Sequence, residues 1–324
     1  MLLSLAAQLR QSLSLLQKQD IQTASQALSM GPQWTSANVL LGDDCAAIPD
    51  REGYLLLAAE GMLPLLVETE PWFAGWSAVM VNISDIAAMG GRAIAVVDTL
   101  WSQSTSSTEA IWQGMQAAAQ AYNVPIVGGH TNCHSPYNAL SVAILGRSQR
   151  LISSFKAQPG DLILVATDFR GKSHAKYPFW DAATTADPVQ LRENLAILPH
   201  IAETGLCNGG KDISNGGIIG TLLMLLETSG CGAVLNLDQV PCPPSLTLER
   251  WLVSFPSYGF LLSVRPHNAS AVQACFRQQG LVCEVVGEVQ PTQHLVLHSS
   301  QESTVFWDLS QAPLTGFSPA GVTR

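Results

Sequence analysis

At 324 residues the chain is longer than one hydrophobic core usually supports, so two domains are expected. Charged residues make up 13% of the sequence against a usual quarter, and apolar ones 47%; this calls for extensive burial and, most simply, a twofold homodimer. A net charge of −9 without any Lys/Arg cluster argues against a nucleic-acid surface, and no uninterrupted apolar run approaches the roughly 20 residues of a membrane span.

The chain starts with MLLSLAAQLRQSL, which is apolar but has no basic stretch and is broken by Gln8 and Arg10, so it does not read as a signal peptide. Seven cysteines, an odd number without a CxxC pair, read as reduced thiols of a cytoplasmic protein. Leu2, Leu5, Leu9, Leu13 and Leu16 recur at helical spacing and predict an amphipathic helical extension over residues 1–30 that packs and ends before Gly31-Pro32. Extended segments follow at 37–41 and 54–59; the second, YLLLAA, is apolar throughout and predicts a buried strand. A helix over 71–89 stops at Gly90-Gly91, a strand covers 93–100, a second helix covers 106–122, and the turn GGHTN leads to a strand at 139–145.

The polar connector SQRLISSFKAQPGD marks a boundary near residue 150, giving domains 1–150 and 151–324. The second half alternates helices near 187–205, 215–229 and 267–279 with strands near 162–167, 258–264, 282–287 and 294–298. It contains neither GxGxxG nor Walker A, so a Rossmann or P-loop site is not expected.

In this charge-poor chain the acids cluster where elements meet glycine turns. Asp43 and Asp44 follow Gly42, Glu60 precedes Gly61, Asp85 precedes Gly90-Gly91, and Asp212 opens DISNGG. Carboxylates about 4 Å apart repel by roughly 4 kcal/mol at a moderate effective dielectric, which a cation such as Mg²⁺ with a phosphate ligand would relieve. Each acid also has a plainer reading: a solvated turn for Asp43-Asp44, a hydrogen bond to a turn for Asp85, and a helix cap for the DISNGG segment, whose start is placed near Ser214 or Asn215 and whose end is at Gly230. A helix starting on small residues can also receive a phosphate oxygen. His130, Cys133 and His134 invite a zinc reading, but no second Cys/His pair has matching spacing, and a histidine bonded to a phosphate or carboxylate is preferred. In TDFRGKSHAKYPFWDAATT, Arg170 and Lys172 bring cations to a strand-end loop; this segment is either a specificity loop for an anionic or aromatic acceptor or an ordinary surface loop.

Taken in order, GDDCAAI, NISDIAAMGG, GGHTN, PGD and DISNGG…SGCGA resemble the aminoimidazole ribonucleotide (AIR) synthetase superfamily, and most nearly its thiamine-monophosphate kinases, from about residue 38 to 298. The resemblance implies a mixed α/β, two-domain AIR-synthetase-like fold, with N-terminal strands that close into a barrel in a dimer and clefts for ATP and Mg²⁺ beside it. It implies metal-binding roles for Asp43, Asp44 and Asp85, a phosphate-side acid at Asp212 and a nucleotide-contacting arginine at Arg150. The chain departs from the kinase at Ala58-Ala59-Glu60, where the kinase has S-T-D, at His130, where it has an aspartate, and at Asn215, where it has a second acid. The kinase's G-G-E-D-Y-E segment is replaced by FPSYGFLLSV.

These readings predict an ATP- and Mg²⁺-dependent enzyme that transfers the γ-phosphoryl group to a small-molecule acceptor or activates an oxygen with it. Asp43, Asp44, Glu60 and Asp85 are the expected metal ligands, and Asp212 and His130 the expected catalytic residues. Gly42, Gly128, Gly129, Thr131, Arg150, Ser214 and Asn215 are expected around the nucleotide. The alternative is a nucleotide-binding partner of the same fold without turnover; a zinc hydrolase is a third.

Overall fold

In the computed structural model, residues 2–30, 39–300 and 302–319 are described. The chain divides into two compact units: one comprises Met1–Asp44, Ile152–Ala182 and Ile201–Arg324, the other Cys45–Leu151 and Ala183–His200. We call them the terminal and the inserted unit.

The N-terminal segment is three helices where the leucine spacing predicts one: α1 (Leu2–Arg10), α2 (Leu13–Leu16) and α3 (Ile21–Met30). Ser12, in extended conformation, interrupts the helix, and its hydroxyl donates to the Leu9 carbonyl at 2.8 Å. The break rotates the apolar stripe, so Leu2, Ala6, Leu9 and Leu15 are buried while Leu13 and Leu16 are 70% and 43% exposed. The predicted helix end at Gly31-Pro32 lies outside the described residues.

The inserted unit runs β1 (Ala46–Asp50), β2 (Gly53–Gly61), α4 (Pro64–Thr69), α5 (Pro71–Ala88), β3 (Arg92–Trp101), α6 (Thr105–Tyr122), β4 (Ile126–Asn132) and β5 (Ala139–Ser148). Its sheet has the order β1-β2-β5-β3-β4, with β4 parallel to β3 and on the edge. The strand expected at 37–41 is not found: residues 37–38 lie outside the described residues, 39–41 are irregular, and the first strand starts at Ala46. The YLLLAA strand is not buried throughout, because α5 covers one face of the sheet only; Leu56 is fully buried and Leu57 is 47% exposed. On the uncovered face Ile48, Leu57, Val97 and Leu145 are all between 38% and 47% exposed. Helices α5 and α6 pack at glycines, since a Cβ on Gly75 would lie 2.1 Å from the Ile111 carbonyl and one on Gly114 2.0 Å from that of Trp72. With α6 on one side and the sheet on another, α5 is buried from Ala74 to Ala88.

The terminal unit resumes with β6 (Leu162–Thr167), β7 (Lys172–Ser173), β8 (Phe179–Asp181), α7 (Pro188–Glu203, in the inserted unit as far as His200), β9 (Gly209–Asp212), α8 (Gly217–Ser229) and β10 (Gly232–Asn236). It ends with α9 (Leu248–Leu252), β11 (Phe255–Pro256), β12 (Gly259–Val264), α10 (Ala269–Gln278), β13 (Val282–Gln290), β14 (His294–Ser299) and β15 (Glu302–Asp308). Seven strands form a sheet of order β15-β14-β10-β13-β6-β12-β9, and β11-β8-β7 form a small second one. The apolar run LILVAT of β6 lies in the middle of the large sheet and is buried on both faces. One core joins α1, α2 and α8 to this sheet through Leu9, Leu15, Leu222, Leu226, Val165, Leu295 and Phe306. Arg10 fixes α1 to β15 by donating to the Val305 and Phe306 carbonyls at 2.7 Å each. Glu227 of α8, 2% exposed, accepts from the amides of Leu314, Thr315 and Gly316 and from the Thr315 hydroxyl, and so anchors the C-terminal segment.

Candidate functional site

In the terminal unit the expected acids come together around a lysine. Gly42 has φ +110°, and a Cβ there would stand 2.6 Å from the Phe317 ring, so the turn into Asp43-Asp44 requires glycine. Asp43 accepts from the Ser153 hydroxyl at 2.5 Å and from the Ser154 amide at 3.0 Å. Asp44 accepts from the Lys211 ammonium through one oxygen and from the Asp212 amide, at 3.2 Å, through the other. Lys211 and Asp212 end β9, an edge strand buried along its whole length.

Burial and charge oppose each other here. Burial, and then the neighbouring Asp44, push the Asp43 carboxyl above its ordinary range, with Lys211, Ser153 and Ser154 pulling the other way. Burial disfavours the Lys211 ammonium, yet Asp44, Asp43 and Asp212 outweigh it and raise its pKa above the ordinary value. Three carboxylates therefore act on one ammonium, and negative charge is in surplus. Hard oxygen donors with that surplus suit a divalent ion such as Mg²⁺.

The loop after β9 carries Ser214 and Asn215, both half-buried. Neither caps the following helix. α8 starts at Gly217 after Gly216, with φ of +61° and +95°, and no side-chain cap bond is made. Glycine is required at 217 by its left-handed backbone and because a Cβ there would lie 2.5 Å from the Leu252 carbonyl. Ser214 instead accepts from Lys18 Nζ at 3.2 Å, and its amide donates to Thr221 at 3.3 Å. The helix closes at Gly230, φ +68°, as expected.

The inserted unit holds the remaining candidates. Glu60 is exposed near the end of β2, and Asp85 is buried in α5. Gly128, Gly129, His130 and Thr131 lie along edge strand β4. The register sets Gly129 opposite Asp98 and His130 opposite Thr99, so His130 is on the other face of the sheet from Gly129 and Thr131. Arg150 is exposed just beyond β5. Among the described residues His130, Cys133 and His134 do not bring three ligand atoms together, which removes the basis of the zinc reading.

The two cations of the strand-end loop differ. Arg170, in the terminal unit, is forked onto Asp168 at 2.8 and 2.7 Å, while Lys172 is exposed on β7. Lys211 and Ser153 carry no role in the sequence reading. The signal for Lys211 was its place between glycines and an acid in a chain poor in cations; Ser153, distant in sequence from Asp43, left none.

Family models match residues 42–148, as AIR synthase related protein, N-terminal domain, and 158–300, as the corresponding C-terminal domain. The chain belongs to the AIR synthase related protein family. A relative in this family, the uncharacterized protein sll0787 of Synechocystis sp., is 56% identical over 98% of this chain and 99% of its own length. The thiamine-monophosphate kinase of Synechococcus elongatus is 27% identical over 76% of this chain and 83% of its own. Thermotoga maritima PurL complexed with ADP superposes with a TM-score of 0.75 at 20% identity; it shares the fold over 96% of this chain, which spans about half of that longer protein. The family membership fits the mixed α/β, two-domain architecture expected from the motifs.

Proposed function

We propose that this protein is an ATP- and Mg²⁺-dependent enzyme that transfers the γ-phosphoryl group of ATP to a small acceptor. The observation that carries the reading is the Asp43, Asp44, Lys211 and Asp212 cluster at the end of β9, a buried surplus of carboxylate with one fixed cation. Asp44 and Asp212, with Asp43 beside them, would hold Mg²⁺, which supplies charge neutralisation to the phosphates as the group moves. Ser153 and the Ser154 amide keep Asp43 oriented. Lys211 holds the Asp44 carboxylate in place and adds a second positive charge where phosphate oxygens gain charge. The relatedness to thiamine-monophosphate kinase and the ADP complex of a protein with the same fold support a nucleotide as the phosphoryl donor.

Calorimetric titration of ATP, with Mg²⁺ and then with EDTA, tests this on the wild type, Asp44→Asn and Asp212→Asn. Mg²⁺-dependent binding that both substitutions abolish is the expected result. Binding that is equally strong in EDTA, or in both variants, would sink the metal assignment, and no binding under any condition would sink the ATP reading.

Lys211 also favours a second reading, in which the protein binds nucleotide without turnover, because an ammonium already neutralises part of the acid cluster. ATP binding without phosphate release or transfer across an acceptor panel would select it. A homodimer fits the uncovered face of the inserted unit's sheet, where Ile48, Leu57, Val97 and Leu145 would be covered by a second copy. Light scattering reads the mass directly, and Leu57→Lys is expected to shift it to that of a monomer.

A further inference from the structure

The last turn of α8 reaches the Gly42-Asp43-Asp44 turn by two routes. By the first, the Thr228 and Ser229 hydroxyls donate to the Ser154 carbonyl at 2.8 and 2.5 Å, and the Ser154 amide in turn donates to Asp43. By the second, Glu227 accepts from the amides of Leu314, Thr315 and Gly316, and the residue that follows them, Phe317, lies on Gly42. A closed circuit thus runs within the terminal unit from α8 through Ser154, Asp43, Gly42 and Phe317 back to α8. The first route grips the acid turn at a carboxylate, the second at its backbone.

The second route uses a segment that is fixed at each step. Gln22 of α3 donates to the Pro313 and Leu314 carbonyls at 2.8 and 3.2 Å, and Leu314 and Thr315 are buried. Gly316 then turns with φ +81° beside α3, where a Cβ would stand 3.3 Å from the Ser25 hydroxyl. The turn delivers the Phe317 side chain, whose Cβ, Cγ and Cδ2 lie 2.6–2.8 Å from the place a Cβ on Gly42 would take. The ring fills the space beside Gly42, which has no side chain with which to hold its own position. Glycine loses more conformational freedom on ordering than any other residue, so this turn depends on what packs against it. The half-buried Phe317 supplies that packing through van der Waals contact.

We propose that Phe317 is a positioning residue for divalent-metal binding: it holds the Gly42 turn in the conformation in which Asp43 meets Ser153 and Asp44 meets Lys211. The inference rests on the metal reading of the acid cluster given above. It adds that the affinity of the cluster is set by a C-terminal segment that carries none of its carboxylates.

The test compares the wild type with Phe317→Ala, Phe317→Leu and Pro319→Ala in the full chain, by two measurements. Hydrogen exchange in the absence of metal reads the turn itself, and residues 42–44 should exchange about tenfold faster in Phe317→Ala. Mn²⁺ binding, followed by loss of the free-ion electron paramagnetic resonance signal, should weaken by about tenfold or more in the same variant, as when a group that orients a metal ligand is removed. Phe317→Leu keeps an apolar group on Gly42 and should restore most of both. Pro319→Ala alters the same segment where it lies against Gly230, and should leave both unchanged. Should Phe317→Ala fail to fold, Gln22→Ala, which loosens the segment from α3, should weaken Mn²⁺ binding several-fold, and unchanged binding there overturns the proposal. Unchanged exchange at 42–44 in Phe317→Ala also overturns it, as does faster exchange with unaltered Mn²⁺ affinity. An equal loss of affinity in Pro319→Ala would assign the effect to the whole segment and overturn the role of Phe317. A wild type that binds no Mn²⁺ sinks the metal reading and this role with it, whereas wild-type binding that Phe317→Ala leaves intact sinks the role alone.

Discussion

Replacing Lys211 by methionine is the most direct probe of the acid cluster, because it removes the charge and keeps the length of the side chain. The ammonium is buried and bonded to Asp44, and Asp43 and Asp212 also act on it. Removing one partner of a buried pair typically costs about 3–5 kcal/mol, since the remaining charge is left without its counter-ion. Melting would fall by about 2–4 °C per kcal/mol for a unit of this size, so a drop of roughly 6–20 °C is expected near neutral pH. The pH dependence has a definite sign. The Asp43 carboxyl is already raised, and a carboxyl whose folded-state pKa exceeds its unfolded one favours the fold most below about pH 4, a contribution lost as the pH rises through the folded value. Without Lys211 that folded value moves higher still, so Lys211→Met should lose more stability relative to wild type at about pH 8 than at about pH 5. Mg²⁺ should restore part of the loss, and more in the variant than in the wild type. Differential scanning fluorimetry across pH, with and without Mg²⁺, reads all three effects. A variant as stable as the wild type at neutral pH, or a deficit independent of pH, would refute the reasoning.

Glu227→Ala should lower stability by about 3–5 kcal/mol in chemical denaturation, because it leaves the amides of Leu314, Thr315 and Gly316 without their buried acceptor; a change below 1 kcal/mol would show that the C-terminal segment is held by other contacts. Gly42→Ala should cost about 1–3 kcal/mol and weaken Mg²⁺-dependent ATP binding, since the residue has φ +110° and abuts Phe317. Burial pushes the thiols of Cys207, Cys231 and Cys283 up to about 12, so in native protein at about pH 8 these three should resist a thiol reagent until denaturant is added. Peptide mapping after labelling identifies the modified positions.

Elements that are continuous apolar runs or long helical stretches bounded by turn residues were legible in the sequence. LILVAT is a strand at 162–167 as expected, and the helices near 71–89, 106–122 and 267–279 fall within two residues of their predicted ends. The N-terminal segment differs from a single helix because leucine spacing does not show the extended backbone at Ser12 that breaks it. β1, β4, β9, β10 and β15 do not stand out because they are short or polar, GGHTN of β4 reading as a turn, and several depend on partners distant in sequence: β9 pairs with β12, β10 with β13 and β14, and β15, a hairpin neighbour of β14, packs against α1. At the site, the Gly42-Asp43-Asp44 turn and Asp212 stood out as acids at glycine turns, whereas their partners could not be inferred. Ser153 meets Asp43 and Lys211 meets Asp44 only after more than a hundred residues of intervening chain have folded.

The attachment of α1 to β15 constrains how the protein is made. Leu2, Ala6 and Leu9 leave the ribosome almost 300 residues before the strand that carries Val305 and Phe306, to which Arg10 is bonded. At about 5–20 residues per second, that interval is roughly 15–60 s, during which an apolar helical face has nowhere to dock. Residues 45–151 of the inserted unit, by contrast, are contiguous and emerge before most of the terminal unit's sheet. Nascent chains stalled before residue 302 should accordingly carry a protease-resistant segment within 45–151 while residues 2–30 are still cleaved, and they should depend on a chaperone that holds apolar helices.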